Sequence, residues 1–205
     1  MPSVQQWRET WTRLGAATPD ALFDELIARY SETHRKYHTL QHLDECFEKL
    51  AEIEAEAVHP EEVELALWFH DAIYDTRRGD NEKRSADWAH SVVLGAALSS
   101  TVAERVHALI MTTRHDGAPH ETDEKILVDI DLSILAAPPA RFDEYERQVR
   151  EEYAWVPGMV FRAKRRAILT EFLERRTIFN TQKFIDAYEA SARKNLERSI
   201  KQLGR

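Results

Sequence analysis

Apolar residues recur along most of this chain at intervals of three and four positions, which is the spacing of a helix that buries one face. A first stripe follows Thr18-Pro19-Asp20 and comprises Leu22, Phe23, Leu26, Ile27 and Tyr30. A second stripe begins near His38 and runs towards Ala57. The segment 60–69 opens with a proline and two acidic residues, as helices often do, and becomes apolar almost all round near its end. We therefore expect this third helix to be central in the fold.

Further stripes predict six more helices, over residues 81–98, 102–113, 124–135, 141–153, 159–175 and 181–203. Only six glycines and seven prolines interrupt the chain, and they separate stretches rich in the strong helix formers Ala, Leu, Glu and Arg. Residues 126–130 also fit a strand pattern, but no partner strand is evident. The pattern therefore predicts an all-α protein, a helical bundle that forms a single domain over residues 1–205.

Charge and composition narrow the partners of such a bundle. The net charge of -8 provides no general attraction for a nucleic acid polymer or an anionic membrane, so a phosphate-bearing substrate must be attracted locally. The single cysteine, Cys46, excludes an internal disulfide and fits a reducing compartment. No apolar run approaches the roughly 18 residues of a membrane span, and the N-terminus lacks the pattern of a signal peptide. We expect a cytoplasmic protein with no membrane partner.

Two histidines lie near the predicted start of the second helix. His38 and His42 are four residues apart, which places them on one face of a helix, about one turn from each other. Such a pair could bind one metal together, or one could bind a metal while the other reaches a substrate atom. Alternatively, the pair simply marks a polar helix start. Cys46 continues this face, but a single buried cysteine usually behaves as a small hydrophobe, so we leave it out of the predicted site.

The dipeptide His70-Asp71 follows the apolar end of the third helix. Adjacent helical residues point about 100° apart, so both can bind one ion only if the ion sits near the helix surface. An unpaired buried carboxylate is costly, so Asp71 in that setting needs a metal, an arginine or several hydrogen-bond donors. The alternative is an exposed helix end. A second copy of the dipeptide, His115-Asp116, precedes a Gly-Ala-Pro loop and lacks the apolar context.

Two more carboxylates lie in an apolar stretch further along the chain. The apolar residues 126–128 precede Asp129, Ile130 separates the two carboxylates, and Leu132 follows Asp131. On a helix they point about 200° apart, so we expect only one of them to face a cleft. The other would cap a neighbouring helix or orient a metal-binding histidine through a hydrogen bond.

The order of these segments resembles the HD superfamily of metal-dependent phosphohydrolases, which is named for its histidine-aspartate doublet. The run Arg35-Lys36-Tyr37-His38-Thr39-Leu40-Gln41-His42 is similar to the tyrosine-histidine signature of its cyclic-nucleotide phosphodiesterase branch, and Asp131-Leu132-Ser133 resembles that branch's last metal-ligand segment. The whole pattern also resembles a bacterial family of predicted HD-type hydrolases of about this length with no established substrate. This resemblance implies an HD-type helical domain, with its motif core in residues 34–135 and C-terminal helices, residues 138–203, packed on that core.

The resemblance also implies roles for individual residues. It makes His42, His70, Asp71 and Asp131 the ligands of a divalent metal, for which Mn, Fe, Co, Mg and Zn are all compatible. It gives His38 the role of protonating the leaving alkoxide, while Asp71 would also help to orient the water that the metal activates. The implied function is a metal-dependent phosphohydrolase that cleaves a small phosphate ester, with a nucleotide as the leading candidate.

The chain departs from the phosphodiesterase pattern just after the doublet. Tyr74 stands where that branch has another histidine, which puts that branch's second metal position in question. The neighbouring Asp75 could contact a water or a second ion and is counted among the catalytic candidates, with a surface turn as the alternative. The aromatic and glutamine arrangement that binds a cyclic-nucleotide base is not recognisable, so we predict no cyclic-nucleotide specificity.

Four residues are predicted to contact substrate or to support the metal ligands by hydrogen bonds: His115, Glu82, Arg84 and Asp129. His115 resembles an extra histidine that many HD proteins place near the metal, although a cationic side chain is favourable at any helix end. Glu82 and Arg84 fall in a predicted first helical turn, where they could face the cleft or simply be solvated. Two other functions stay open at this point: a non-catalytic regulatory module that binds a nucleotide or a metal, and an HD-type diiron oxygenase.

Overall fold

The computed structural model describes residues 2–204, which form ten α-helices and two short 3-10 helices and contain no strand. The all-α prediction is confirmed, and residues 126–130 lie in a helix. The chain divides into two compact units, residues 2–130 and residues 131–204. A single domain over residues 1–205, with the C-terminal helices packed on the motif core, stays a prediction, and each unit is described by itself.

The N-terminal unit contains six complete helices: α1 (Val4–Leu14), α2 (Asp20–Tyr30), α3 (Leu40–Ile53), α4 (Pro60–Phe69), α5 (Asn81–Gly95) and α6 (Ser100–Thr112). A short 3-10 helix, Glu54–Glu56, follows α3 directly. The next helix, α7 (Thr122–Leu132), begins in this unit and contains the boundary after residue 130. The ends of the predicted helices differ from the observed ends by a few residues, because helix termini are the least defined part of the hydrophobic pattern.

The first helix, α1, is absent from the predicted elements. Ser3 caps it, since its hydroxyl oxygen accepts a hydrogen bond from the N–H of Gln6 at 3.1 Å, and Gly15 ends it in a left-handed conformation. Trp7 and Trp11 lie one turn apart, are fully buried and make an edge contact with ring centroids 5.4 Å apart. The apolar stripe of α1 therefore consists mainly of two large aromatic residues within an otherwise polar segment.

The fourth helix, α4, lies at the centre of the N-terminal unit, as predicted. Residues 62–69 are all buried, and α4 packs against α1, α3, α5 and α6. The ring of Trp68 meets that of Trp7 at 5.3 Å in an edge contact, which joins α4 to α1. The residues that follow α4, His70 and Asp71, therefore leave the helix in the middle of the unit.

The C-terminal unit begins with the end of α7 and continues through a 3-10 helix, Ser133–Ala136, and the helices α8 (Pro139–Glu152), α9 (Gly158–Glu174) and α10 (Gln182–Leu203). The longest helix, α10, packs on α9 and on the 3-10 helix. The side-chain amide of Asn195 donates to the carbonyl oxygens of Leu135 and Ala137 at 2.9 Å each, which secures this contact. Among the helices of residues 2–204, none combines the length and the apolar character that crossing a membrane requires.

Candidate metal centre

His70 and Asp71 lie at the C-terminal end of α4, just past its last residue, Phe69. The 100° separation expected for two adjacent helical residues does not apply to this pair. His70 is the C-cap, with helical angles of φ -53° and ψ -39°, and its N–H still donates to the carbonyl of Ala66 at 2.8 Å. Asp71 begins the turn that follows. Because the chain leaves the helix here, the two side chains are released from the angular separation that a helix imposes.

The imidazole of His70 is 1% exposed and is oriented by a backbone carbonyl. Its Nδ1 lies 2.8 Å from the carbonyl oxygen of Leu67, which can only accept, so Nδ1 carries the proton. In the neutral ring, Nε2 therefore presents a lone pair, which is the form that binds a metal. Hydrogen bonds of this kind orient metal-binding histidines in known metal sites.

Two further potential ligand atoms converge at this nitrogen. Nε2 of His42, in the first turn of α3, lies 3.1 Å from Nε2 of His70. Oδ2 of Asp71 lies 3.2 Å from Nε2 of His70 and 3.6 Å from Nε2 of His42. Two atoms that are each about 2.1 Å from a metal are about 3.0 Å apart at a right angle and about 3.4 Å apart at the tetrahedral angle. We call these residues the ligand triad, because their spacing is close to that of three ligands around one ion.

The charges of the ligand triad require a cation nearby. Burial raises the pKa of the Asp71 carboxyl, but His70, His38 and His42 together outweigh burial and hold that pKa well below its usual range. Asp71 is therefore ionised at neutral pH. Its carboxylate and the lone pair of His70 Nε2 are both acceptors, so a stable cluster needs positive charge between them, either a proton on an imidazole or a metal ion.

The sulfur of Cys46 belongs to the same cluster, although sequence reasoning left this residue out. Cys46 lies one helical turn after His42 on α3 and is 1% exposed. The potential ligand atoms of His42, Cys46 and His70 all lie within 4.8 Å of one another. This buried group could hold a metal ion.

The position of the sulfur on the His42 ring limits how Cys46 could take part. Sγ lies 3.7 Å from Nδ1 and 3.7 Å from Nε2, so it rests against the ring instead of lying beyond either nitrogen. A sulfur that shared an ion with Nε2 would lie about 3.6 Å from Nε2 but about 5 Å from Nδ1. Binding of that ion by sulfur therefore requires a side-chain rotation, whereas the Asp71 carboxylate is already in place.

His38 lies beside the ligand triad but not on α3. The helix begins at Leu40 with Thr39 as its N-cap, so the prediction that His38 and His42 share a helical face is wrong. His38 lies in the preceding turn, where its ring stacks on Tyr74 with centroids 4.0 Å apart and an interplanar angle of 28°. The ring centroids of His38 and His42 are 5.9 Å apart. A turn, and not helical spacing, brings His38 to the site.

Arg35 is a buried residue of this region that sequence reasoning did not single out. Its guanidinium donates to the carbonyl oxygens of His38, Asp71 and Ala72, and it forms an ion pair with Glu32. A sequence signal was present, because Arg35 opens the Arg-Lys-Tyr-His run on which the resemblance depends. A charged residue in a polar stretch, however, gives no local reason to expect burial.

The two carboxylates of α7 lie on either side of the unit boundary. Asp129 is fully buried in the N-terminal unit. Asp131 is half-buried and belongs to the C-terminal unit, where burial raises the pKa of Tyr145 and the charge of Asp131 adds to that shift. The roles of Asp131 as a metal ligand and of Asp129 as a supporting hydrogen-bond partner stay predictions.

Three further predicted residues lie in the loop and helix after the doublet. The carboxylate of Asp75 accepts a hydrogen bond from the N–H of Arg77 at 2.9 Å, and its backbone pairs with the Asn81 amide, which favours the surface-turn alternative. Glu82 is half-buried and Arg84 is exposed in the first turn of α5. Among residues 2–204, the side chains of these three residues form no hydrogen bond or ion pair with the ligand triad. Their catalytic and substrate-binding roles stay predictions.

His115 follows α6 in a left-handed backbone conformation with φ of 55°. Its N–H donates to the carbonyl of Thr112 at 3.1 Å, and the residue is half-buried. Left-handed angles cost free energy for residues other than glycine, although histidine adopts them more often than most. The contact of His115 with phosphate or a second ion stays a prediction.

Known proteins provide no direct parallel for this chain: no protein-family model, no curated protein and no solved structure gives a significant match. The resemblance to the HD superfamily therefore depends on the order and spacing of the motif residues. The structure adds the convergence of His42, His70 and Asp71 at distances suited to one metal ion, with His38 beside them.

Proposed function

We propose that the chain is a metal-dependent phosphohydrolase that cleaves a small phosphate ester, with a nucleotide as the leading candidate. The observation that supports this most directly is the ligand triad, in which two imidazole nitrogens and one carboxylate oxygen lie 3.1 to 3.6 Å apart at the end of the central helix. Structural metal sites usually close the shell with protein ligands, whereas catalytic sites leave positions for water and substrate. Three converging ligands of mixed type suit a catalytic metal site.

The residues of the triad fit a divalent ion. When bound, such an ion supplies positive charge that polarises a phosphate and makes a water molecule more acidic. In the proposed site, His42 and His70 would each bind the ion through an unprotonated ring nitrogen. The second carboxylate oxygen of Asp71 would accept a hydrogen bond from the water molecule. Imidazole with carboxylate suits Mn, Fe, Co, Zn and Mg.

His38 is the proposed proton donor. Its ring is stacked on Tyr74 and lies next to His42, at the edge of the ligand triad. The residue is half-buried, so its imidazole can exchange protons with solvent while being held in place. Protonation of the leaving alkoxide by a positioned imidazole typically contributes about 10²- to 10⁴-fold to a rate.

We further propose a cytoplasmic location. The thiol of Cys46 is not part of a disulfide and lies against a metal-binding imidazole. A reducing compartment keeps such a thiol from being oxidised.

Metal analysis followed by a phosphate-release screen tests the function. Purified protein should bind about one or two equivalents of divalent metal and, loaded with Mn, Fe, Co, Mg or Zn in turn, should release phosphate from a nucleotide or another small ester. His70→Ala should abolish both properties, whereas His38→Asn should keep metal affinity and lower kcat by about 10²- to 10⁴-fold. His107→Ala is the control, because His107 pairs with Asp87 on α5.

Other outcomes would redirect the assignment. A protein that binds no divalent metal, and whose His70→Ala variant keeps every activity and the wild-type thermal stability, is not a metalloenzyme of this kind. A bound ligand that is released intact under every metal would favour a regulatory module. A mixed-valence iron signal with oxygen consumption would favour a diiron oxygenase.

A further inference from the structure

The side chain of Arg35 is fully buried in the segment that joins α2 to α3. Removing a guanidinium from water is costly unless its five donors find partners inside the protein. Its carboxylate partner is Glu32, three residues earlier, whose side chain is 31% exposed and lies 3.1 Å from Nε. Three of the four remaining N–H donors have backbone carbonyl oxygens as partners.

The guanidinium joins the two segments that carry the proposed chemistry. Nη1 donates to the carbonyl oxygen of His38 at 3.2 Å and to that of Asp71 at 2.6 Å. Nη2 donates to the carbonyl oxygen of Ala72 at 3.0 Å. The first oxygen belongs to the turn before α3 and the other two belong to the turn after α4. A planar fork with fixed donor directions therefore holds these two turns together.

Two tyrosines enclose the same guanidinium. Its central carbon lies 5.3 Å from the ring centroid of Tyr30 and 5.5 Å from that of Tyr74. The hydroxyl of Tyr30 accepts a hydrogen bond from the N–H of Asp71 at 3.3 Å, and the ring of Tyr74 stacks on His38. Each tyrosine that contacts Arg35 thus also contacts a residue of the proposed site.

We propose that Arg35 is a positioning residue that fixes the proton donor His38 and the metal ligand Asp71 relative to each other. Arg35 contacts backbone oxygens of these residues, so it acts through their placement and not on reacting atoms. Lysine cannot substitute for it, because a single ammonium lacks the planar set of donors that reaches three oxygens at once. The inference rests on the proposed function, since metal binding at the ligand triad is its first readout.

Arg193, in the C-terminal unit, is a matched control. Its guanidinium pairs with Glu189 at 2.7 Å, just as Arg35 pairs with Glu32. It also donates to three backbone carbonyl oxygens at 2.8 to 3.0 Å, those of Leu173, Arg175 and Arg176. The two arginines therefore have the same kinds of hydrogen-bond and ion-pair partner, although the side chain of Arg193 is 30% exposed. None of these partners of Arg193 is a predicted site residue.

The test compares Arg35→Lys with Arg193→Lys in the full chain, with Mn²⁺ alone as the probe. Calorimetric titration of the folded variants should give a Kd for Mn²⁺ that is about 10- to 100-fold higher than wild type for Arg35→Lys and within about twofold for Arg193→Lys. Urea unfolding of both variants separates a general loss of stability from a loss of the site. Unchanged Mn²⁺ affinity in folded Arg35→Lys, or an equal loss in Arg193→Lys, overturns the proposal.

A measurement on the wild type covers the case in which Arg35→Lys does not fold. The side-chain Nε–H resonances of Arg35 and Arg193 are followed by NMR as Zn²⁺ is added. We expect the Arg35 resonance to shift with metal occupancy and the Arg193 resonance to stay unchanged. If neither or both respond, Arg35 has no specific coupling to the site and the inference fails alone. If the wild type binds neither Mn²⁺ nor Zn²⁺, the proposed function fails and takes this inference with it.

Discussion

His70 shows how one residue can serve both a helix end and a candidate metal site. The last carbonyl groups of a helix lack intrahelical partners, and the carbonyl of Leu67 is one of them. Nδ1 of His70 donates to this oxygen at 2.8 Å, which satisfies the helix end and at the same time leaves Nε2 as the lone-pair nitrogen of the neutral ring. One hydrogen bond therefore satisfies the end of α4 and sets the tautomer in which His70 could bind a metal ion.

Cys46 makes a prediction at the scale of a single residue. Because its sulfur lies 3.7 Å from both nitrogens of His42, it packs against the ring and is not placed to share an ion with Nε2. The Co²⁺-loaded wild type should therefore lack an intense thiolate-to-cobalt absorption band in the near ultraviolet. Cys46→Ala should change Co²⁺ affinity by less than about threefold, whereas His42→Ala should abolish binding. An intense band that disappears in Cys46→Ala would establish sulfur as a ligand.

At the scale of elements, α1 matters because it covers α4. Trp7 is fully buried and meets the rings of Trp11 and Trp68 at 5.4 Å and 5.3 Å. Trp7→Ala should lower the free energy of unfolding by about 3–5 kcal/mol, because it leaves a large cavity between the two helices. Val4→Ala, at a position 38% exposed on the same helix, is the control and should change stability by no more than about 0.5 kcal/mol. Similar urea midpoints for the two variants would contradict this account of α1.

Glu64 gives the contact between α1 and α4 a pH dependence. Its carboxylate is buried, accepts a hydrogen bond from the Gln6 amide at 2.9 Å and pairs with Arg13. Burial raises the pKa of Glu64 and outweighs these favourable contacts. The folded chain therefore holds this proton more tightly than the unfolded chain. As a result, the contribution of Glu64 to stability falls as the pH rises from the unfolded-state pKa through the raised folded-state pKa.

Glu64→Gln removes this titration. The free energy of unfolding of the wild type minus that of the variant should therefore decrease as the pH rises from about 4, near the ordinary pKa of glutamate, towards neutral. Urea unfolding at a series of pH values measures this difference. Glu54→Gln controls for the ion pair, because Glu54 contacts the same Arg13 at 2.5 Å but is 38% exposed. A difference that stays constant or grows with pH would show that burial does not dominate at Glu64.

At the scale of the whole molecule, metal binding should be linked to folding. The ligand triad combines His42 from α3 with His70 and Asp71 from the end of α4. The two histidines are 28 positions apart in the sequence, so only folding brings them together. A ligand at 100 times its Kd that binds only the folded state adds about 2.7 kcal/mol of stability. Mn²⁺ at that excess should raise the melting temperature of the wild type by about 5–10 °C, reversibly with a chelator. An equal rise in His70→Ala would indicate non-specific binding.

The local hydrophobic pattern was sufficient to predict most helices, but it did not predict α1 or the correct start of α3. An amphipathic stripe is a property of neighbouring residues, so α4 could be predicted as a central helix from its apolar run. The stripe of α1 is reduced to Trp7 and Trp11, which is too sparse to stand out in a polar segment. From the sequence, α3 could begin near His38 or after Thr39. Thr39 caps the helix and so excludes His38 from it, and the turn that precedes Thr39 decides between these two starts.

By itself, the sequence determined the helical class, the central place of α4 and the residue types from which a metal site could be built. Only the tertiary structure decided that His42, His70 and Asp71 meet at 3.1 to 3.6 Å, that His38 reaches them from a turn, and that Cys46 lies against an imidazole. It also decided that Arg35 is buried between two turns. The physical reason is that periodicity records which face of an element is buried, whereas a site depends on distances between elements, which packing alone sets.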